Sequence, residues 1–535
     1  MKFRPNFFLT FIVITASVLA NEANRDINKC DQTEQVNFVI NDIFELNNSD
    51  TIFLHHWANA LHIKTQPKTL LNEAAFFLNK CQIAQTDLQE LERHLRSKKY
   101  LRDALVKFDA QEKVSIETWD NWSLMPTVDF GRKGGQNHFS LGMKDQNLLG
   151  LGIHAEIEYF KNDQRSGYKI KSELPLFLQN NTNANIRLTN NDDGTSEAIF
   201  IEKKFVSFDT KTAYKIGFDN FNQIDTQYEQ GVESKQYLHQ QYFSTASWRW
   251  LHHDFADDTL RFGLGFTHEA HHFSALENNT LSLPFAVQTL PADRSFNYPF
   301  IAIEYLQKDY RKLKNVHLIN QIEDFNLGWH ATASLGTDVS NNDSAPTLIW
   351  QSRATKGLAL GNDFWFFDAA FEGERYNKTN NNDRLLLTLN TEYFHKFNDR
   401  WATYFKNRNQ LSKNQFSDAP IVLGGEAGVR GFPLQYQHGE HSTLFSIEGR
   451  YYLHINIYKL LELGGAVFID TGRIFGQSDV SKALSPWLTS VGLGARFYST
   501  HSSDPLVIHI DVIKPMTSDP NVDSFEFRIS TKHAF

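Results

Sequence analysis

From about residue 120 onward the chain tends to alternate apolar and polar side chains in segments of about 6–16 residues. Examples are Ile153–Phe160, Tyr168–Leu174, Lys235–Trp250, Leu260–Phe266, Phe300–Tyr305, Phe364–Phe371 and Leu385–Phe394. Clusters such as NNTNAN, NNDDG, NNDS and NKTNNND separate them. Successive strand side chains point to opposite faces, so the pattern predicts many strands with one apolar and one polar face. Upstream the period changes. Val36–Phe44 predicts a strand. Lys68–Leu78 predicts a helix, and Thr86–Lys98 a second, with Leu88, Leu91 and Leu95 on one face. Tyr100–Phe108 and Glu112–Trp119 predict two further strands. The order β-α-α-β-β makes a compact α+β module over about 35–118.

Strands in this number require a large soluble β fold or a closed barrel. Aromatic residues bear on the choice: they make up 13% of the chain, with 44 Phe, 18 Tyr and 10 Trp. They recur near segment ends, as at Tyr159–Phe160, Trp248, Trp250, Phe364–Phe367 and Tyr451–Tyr452. Aromatic girdles at two membrane interfaces produce that placement. A soluble sandwich with a bulky core produces it too. The mean hydropathy of −0.43 does not speak against a barrel, whose strands are only half apolar. After residue 20 no run of about 18 apolar residues occurs, so no transmembrane helix is expected.

Residues 1–20 carry Lys2 and Arg4, an apolar stretch from Phe7 to Val13, and small residues up to Ala20. This reads as a secretory signal peptide. The two cysteines, Cys30 and Cys81, then lie outside the cytoplasm. There a disulfide is permitted, with two free thiols as the alternative. At the other end the chain closes on SFEFRISTKHAF. Counting back by twos from Phe535 gives His533, Thr531, Ile529, Phe527 and Phe525, a largely apolar face on a last strand that ends in an aromatic. A terminal Phe on an alternating strand resembles the signal by which outer-membrane assembly machinery reads its clients. The net charge is −9. An acidic chain is a poor partner for nucleic acid, which needs clustered Lys and Arg.

Residues 421–433 read IVLGGEAGVRGFP in a turn-rich stretch, and Val467–Gly472 reads VFIDTG within a strand pattern. Between them Thr443–Leu453 reads TLFSIEGRYYL. The order and spacing resemble the BamA/TamA-type family of outer-membrane assembly and translocation barrels, also called the bacterial surface antigen family. The tetrapeptide Val429, Arg430, Gly431, Phe432 looks like the family's loop motif. Phe468 to Gly472 looks like its strand partner. The upstream module resembles one polypeptide-transport-associated (POTRA) domain. Ser115–Leu124, followed by FGRKGGQNHFSLGMKDQNLLGLG, looks like the entry to the barrel. The family's general assembly factor carries several such modules, and here there is room for one.

The residues carry their own reading. Arg430 lies between Gly428 and Gly431 in a loop of about 413–440, too long for a hairpin turn. On the strand Val467 and Ile469 share one face, which suits lipid, whereas Phe468, Asp470 and Gly472 share the other. In a barrel that second face is the lumen. A loop arginine and an inner-wall carboxylate suit a bidentate ion pair, and Glu448 is a further inward candidate. The resemblance implies the same arrangement, with the loop folded into the barrel and Arg430 docked on the wall. The alternative is a solvated surface loop.

Other signals carry less. His268-Glu269-Ala270-His271-His272 matches the HExxH pattern of zinc proteases. That chemistry needs a helix, and here the pattern sits in a β-alternating segment. No metal, no cofactor and no enzymatic activity are expected. The expected architecture is a signal peptide (1–20), a periplasmic POTRA-like domain (21–118) and a transmembrane antiparallel β-barrel (119–535). The family implies 16 strands, while the segments themselves count about 18–20. The expected function is insertion or translocation of unfolded outer-membrane or secreted polypeptides, by a monomer in the lipid bilayer of a Gram-negative outer membrane. Alternatives are a two-partner secretion pore for a dedicated exoprotein, which usually has two modules and a plug helix, and a passive channel. The sequence offers one module and no plug.

Overall fold

A computed structural model describes residues 36–46, 51–133, 136–162, 164–177, 180–276, 290–340, 345–376, 383–425, 428–458, 460–476, 486–503 and 507–532. The expected signal peptide, Cys30 and Phe535 lie outside the described residues. Cys81 is disulfide-bonded.

The N-terminal module holds strands β1 (Val36–Asn41), β2 (Leu101–Phe108) and β3 (Val114–Asp120) and helices α1 (Phe53–Leu61), α2 (Pro67–Leu78) and α3 (Gln85–Arg96). The sheet order is β1-β3-β2, with β1 parallel and β2 antiparallel to the central β3. Leu70, Ala74, Phe77 and Leu78 of α2 pack with Leu88, Leu91 and Leu95 of α3 over Val106 and Ile116 of the sheet. The order is therefore β-α-α-α-β-β, which corrects the expected count of two helices by adding α1. That helix follows Ile52, which gives no helix-start signal in the sequence. Its large apolar residues Phe53, Leu54, Trp57 and Leu61 also stay exposed instead of marking a buried stripe.

Among the described residues from Leu124 to Lys532, 20 strands form one closed barrel. This corrects the family-derived 16 and agrees with the upper end of the segment count. The barrel pairings are antiparallel throughout the given register, and strand Glu526–Lys532 closes on strand Leu124–Lys133. Strand parity follows the alternation in the sequence: Val467 and Ile469 are 61% and 41% exposed, Phe468 and Asp470 are 5% and 2%. Ile301, Leu493 and Phe527 extend the exposed apolar exterior. A closed barrel with an apolar exterior and charged interior satisfies the backbone within a bilayer. No helix among the described residues is long and apolar enough to cross a membrane.

Module and barrel meet through hydrogen bonds at one end of the barrel. The Gln66 amide and the Thr69 hydroxyl both donate to the Gly150 carbonyl at 2.8 Å. Gly150 has a φ of +73°, and a Cβ there would lie 2.3 Å from the Lys64 carbonyl. A side chain at this position would push the module off the barrel rim. Lys80 pairs with Asp209 at 2.7 Å across the same junction.

Two segments interrupt the barrel meander. At the module end the chain between Gln307 and His330 forms a small hairpin, Tyr310–Lys314 paired with Ile322–Asn326. At the opposite end a long loop connects Lys413 to His441 and contains the short pair Ile421–Leu423 and Gln437–Gly439.

Candidate functional site

The long loop folds back into the lumen because its apolar residues find a wall. Val429 and Phe432, 0% and 1% exposed, pack with Ile421, Leu423, Tyr436, Ile474 and Leu488. Gly472 provides the space: a Cβ there would come within 3.2 Å of Val429 Cγ2. Gly431 has a φ of +88°, and its Cβ would lie 2.8 Å from Pro515 Cγ. The strand Val507–Pro515 therefore admits the loop only where no side chain intervenes.

This packing delivers Arg430 to the wall. Its Nε donates to Asp470 Oδ2 at 2.5 Å and its Nη2 to Asp470 Oδ1 at 2.8 Å. Such a fork-to-carboxylate pair fixes direction as well as distance. Nη2 also donates to Glu448 Oε1 at 3.1 Å. The guanidinium lies over the Phe468 ring, 3.4 Å from its centroid, so one face has a cation–π contact. Ser446 donates to Asp470 Oδ1 at 2.6 Å. These three polar partners and the Phe468 ring come from adjacent strands whose register sets Ser446 opposite Asp470 and Glu448 opposite Phe468. The structure thus brings Arg430, Asp470, Glu448, Phe468, Val429, Gly431, Phe432 and Gly472 into one place. Phe525 and Phe527 lie elsewhere, exposed at the last strand.

Sequence reading missed the second half of the assembly. Arg450, 2% exposed, donates from Nε to Glu448 Oε2 at 3.1 Å. Its Nη1 donates to the Val316 carbonyl at 3.1 Å, and Tyr452 Oη donates to the Asn315 carbonyl at 3.2 Å. Val316 and Ile319, both 0% exposed, pack on Phe394 and Tyr404 and on Tyr452 and Tyr498 respectively. The tip of the module-end hairpin therefore enters the lumen. What enters the lumen here is a hairpin tip and not a helix. Glu448 connects the two inward elements, with one oxygen toward the loop and the other toward Arg450 and the hairpin. Arg450 was detectable: it shares the parity of Glu448 two residues earlier. The tip Asn315–Asn320 had no signal, since its flanking strands look like any other barrel hairpin.

The hairpin also faces the module. Arg96 of α3 contacts Asp324 at 3.2 Å, and Arg93 lies over the Tyr310 ring, 4.0 Å from its centroid. Between them opens a groove of about 980 Å³, lined by Glu92, Arg96 and Leu105 of the module and by Arg261, Tyr310 and Asp324 of the barrel side. The open edge of β2 borders it. The outward amides of that edge are held by carboxylates: Ala104 by Asp103 at 2.8 Å and Val106 by Glu92 at 3.4 Å. The HExxH candidate lies on strand Asp258–Ser274, where His268 and His272 have separate partners, Asn297 and Asp293.

No family model matches the chain, and no curated protein matches it. Among solved structures it is similar to BamA from Haemophilus ducreyi lacking POTRA domains 1–3, at 12% identity and a TM-score of 0.43, over 93% of this chain and 84% of that one. It is similar to CdiB from Escherichia coli at 11% identity and a TM-score of 0.46, over 92% of this chain and 75% of that one. The FrpB iron transporter from Neisseria meningitidis gives 8% identity and a TM-score of 0.41, over 79% of this chain and 84% of that one. Likeness at this level decides nothing about function.

Proposed function

We propose that this protein is an outer-membrane barrel that helps client polypeptides insert into or cross the membrane, with the α+β module docking the client on the periplasmic side. The observation that carries the reading is the groove between the β2 edge and the lumen-plugging hairpin. An extended client segment adding to β2 would use main-chain hydrogen bonds, independent of client sequence. It would displace the Asp103 and Glu92 carboxylates from the edge amides, and it would touch the hairpin whose tip sits under Arg450. Docking and the state of the lumen would then be coupled through one element. The driving force would be client folding and burial of its backbone in the bilayer, with no nucleotide or cofactor. The protein would act as a monomer. The Arg430–Asp470–Glu448 cluster would act as a lock on the loop.

The hairpin tip gives one specific reason to retain a second reading, a secretion pore for a dedicated exoprotein, because a plug at the docking end suits a lumen opened by its substrate. A passive channel fits poorly with a lumen entered from both ends. The test is photo-crosslinking from position 105 on β2 to an unfolded outer-membrane-type polypeptide held by the purified full-length protein. Adducts at position 105, with none from position 467 on the barrel exterior, are expected. Equal labelling at both positions would overturn the docking assignment.

A further inference from the structure

A second polar cluster lies on the lumen wall at the loop end, away from Arg430. His239 on strand Val232–Asp254 and His271 on strand Asp258–Ser274 are both 5% exposed. His239 Nε2 lies 2.9 Å from His271 Nδ1. The outer nitrogen of each ring meets a carboxylate: His239 Nδ1 is 2.6 Å from Asp225, and His271 Nε2 is 2.9 Å from Glu269. Asp418 of the long loop completes the group, with a carboxylate oxygen within 4.8 Å of one ring nitrogen of each histidine.

Protons must be counted along this chain. Asp225, His239, His271 and Glu269 are joined by three contacts, and each needs one N–H. Two neutral imidazoles supply only two. Either the chain carries an extra proton or a cation takes the place of one. The outer contacts are the arrangement by which carboxylates fix the tautomer of metal-binding histidines and turn the inward nitrogens into acceptors. The charge balance agrees. Arg294 holds Asp418 at 2.8 Å, and Arg165 reaches Asp225 at 3.4 Å and Asp193 at 3.2 Å. With Glu269 on His271, the carboxylates touching this group outnumber its guanidiniums. Phe273, whose ring centroid is 4.5 Å from that of His239, limits rotation of the ring.

We infer that His239, His271 and Asp418 bind a divalent transition metal of the zinc class, tethering the 414–440 loop to the barrel wall. Two imidazoles and one carboxylate leave a fourth position open, as suits a tetrahedral ion. This departs from the sequence reading, in which His271 belonged to a discounted helix motif and no metal was expected. The site lies some distance from the Arg430 cluster, and an ion there would add to the bidentate pair by which Arg294 already holds Asp418 to the wall.

The experiment uses the full-length protein in detergent, stripped with a chelator and titrated with Co²⁺ at pH 7, followed by absorption and by competition with Zn²⁺. One Co²⁺ per chain is expected, with visible bands of a four-coordinate ion, displaced by Zn²⁺. His239→Ala and His271→Ala should each lower the affinity by at least about 100-fold and Asp225→Asn by about 10–100-fold. His272→Ala, on the outward face, should leave it unchanged. Heat-modifiable migration reports whether each variant is a closed barrel. Asp418→Asn leaves both wall strands intact and should abolish Zn²⁺-dependent protection of the loop from protease. Failure of the wild type to bind one ion, or binding unchanged in both histidine variants, would overturn the site. Loop protection unchanged in Asp418→Asn would overturn the tether.

Discussion

Glu448 and Arg450 lie two residues apart on one strand face and share one ion pair, Nη2 3.0 Å from Oε2. Arg450 meets Oε2, while Oε1 accepts from Arg430 on the loop. The same Arg450 reaches the hairpin tip at Val316. One carboxylate therefore connects elements that enter the lumen from opposite ends. Neither guanidinium could be buried at this depth alone, since an unpaired charge in a low dielectric is costly.

The lock predicts coupling between its members. Removing one partner of a buried pair costs roughly 3–5 kcal/mol, against under about 1 kcal/mol for an exposed pair. Arg430→Ala and Asp470→Ala should each destabilise the loop on that scale. The double variant should be no worse than the Arg430 variant, which has already lost the Arg430–Asp470 pair and leaves Asp470 as an uncompensated buried charge. Asp470→Ala should be the milder single change, since Glu448 still holds the guanidinium. Arg430→Lys should rescue poorly, lacking the planar fork. Urea denaturation of the barrel, with protease cleavage in the loop, measures all four. Additive losses would mean that the residues act independently.

Gly431 predicts a steric effect separable from a conformational one. Gly431→Ala places a Cβ 2.8 Å from Pro515 at a φ of +88°. Gly361→Ala has a φ of +63° with nothing within 4 Å. The second variant should show only the backbone cost of about 1 kcal/mol; the first should exceed it and release the loop to protease. Equal behaviour of the two would show that the close approach to Pro515 contributes nothing.

The hairpin predicts a conductance change. Replacing residues 310–326 by a short turn removes Val316 and Ile319 from the lumen. Ion conductance across a planar bilayer should rise severalfold while heat-modifiable migration persists. Unchanged conductance would mean that the hairpin tip does not restrict the lumen.

Acid should loosen the module before the barrel. Burial alone would raise the pKa of Glu73, but Lys98 at 2.6 Å and the hydrogen bond from His94 at 2.9 Å bring it down to about 2. A depressed carboxylate contributes stability that is present above its unfolded value of 4.5 and lost as pH falls toward about 2. The size is about 3 kcal/mol. His94 is lowered by burial and by Lys98, against the pull of Glu73. It must take up a proton on unfolding, so some stability is lost already below 6.5. Hydrogen exchange in α2 and α3 of the intact protein should accelerate in that order. Glu73→Gln should remove the steeper, more acidic part.

Much of this molecule was legible in its sequence, for physical reasons that also explain the gaps. Alternation exposes itself wherever one strand face meets lipid and the other the lumen, so Val467 and Asp470 were assignable by parity alone. Arg430 stood out because glycines flank it in a long loop. The helix α1 was not legible, because its large apolar residues are exposed and leave no buried stripe. The hairpin tip Asn315–Asn320 was not legible either. Periodicity reports which face of a strand is apolar, not whether a hairpin joins the wall or folds inside it. The pairing of His239 with His271 depends on a strand register that no short motif encodes.

If this barrel promotes membrane entry of other polypeptides through its module, the purified protein should do so in a reconstituted bilayer. The most direct test reconstitutes the full-length protein in phospholipid vesicles and adds a urea-unfolded outer-membrane-type barrel polypeptide. The fraction of client that migrates in its heat-modifiable form or becomes protected from external protease is followed over time. Entry should be severalfold faster than with empty vesicles, and should return to the empty-vesicle rate when residues 36–118 are deleted. No acceleration by the intact protein, or full acceleration by the truncated one, would contradict it.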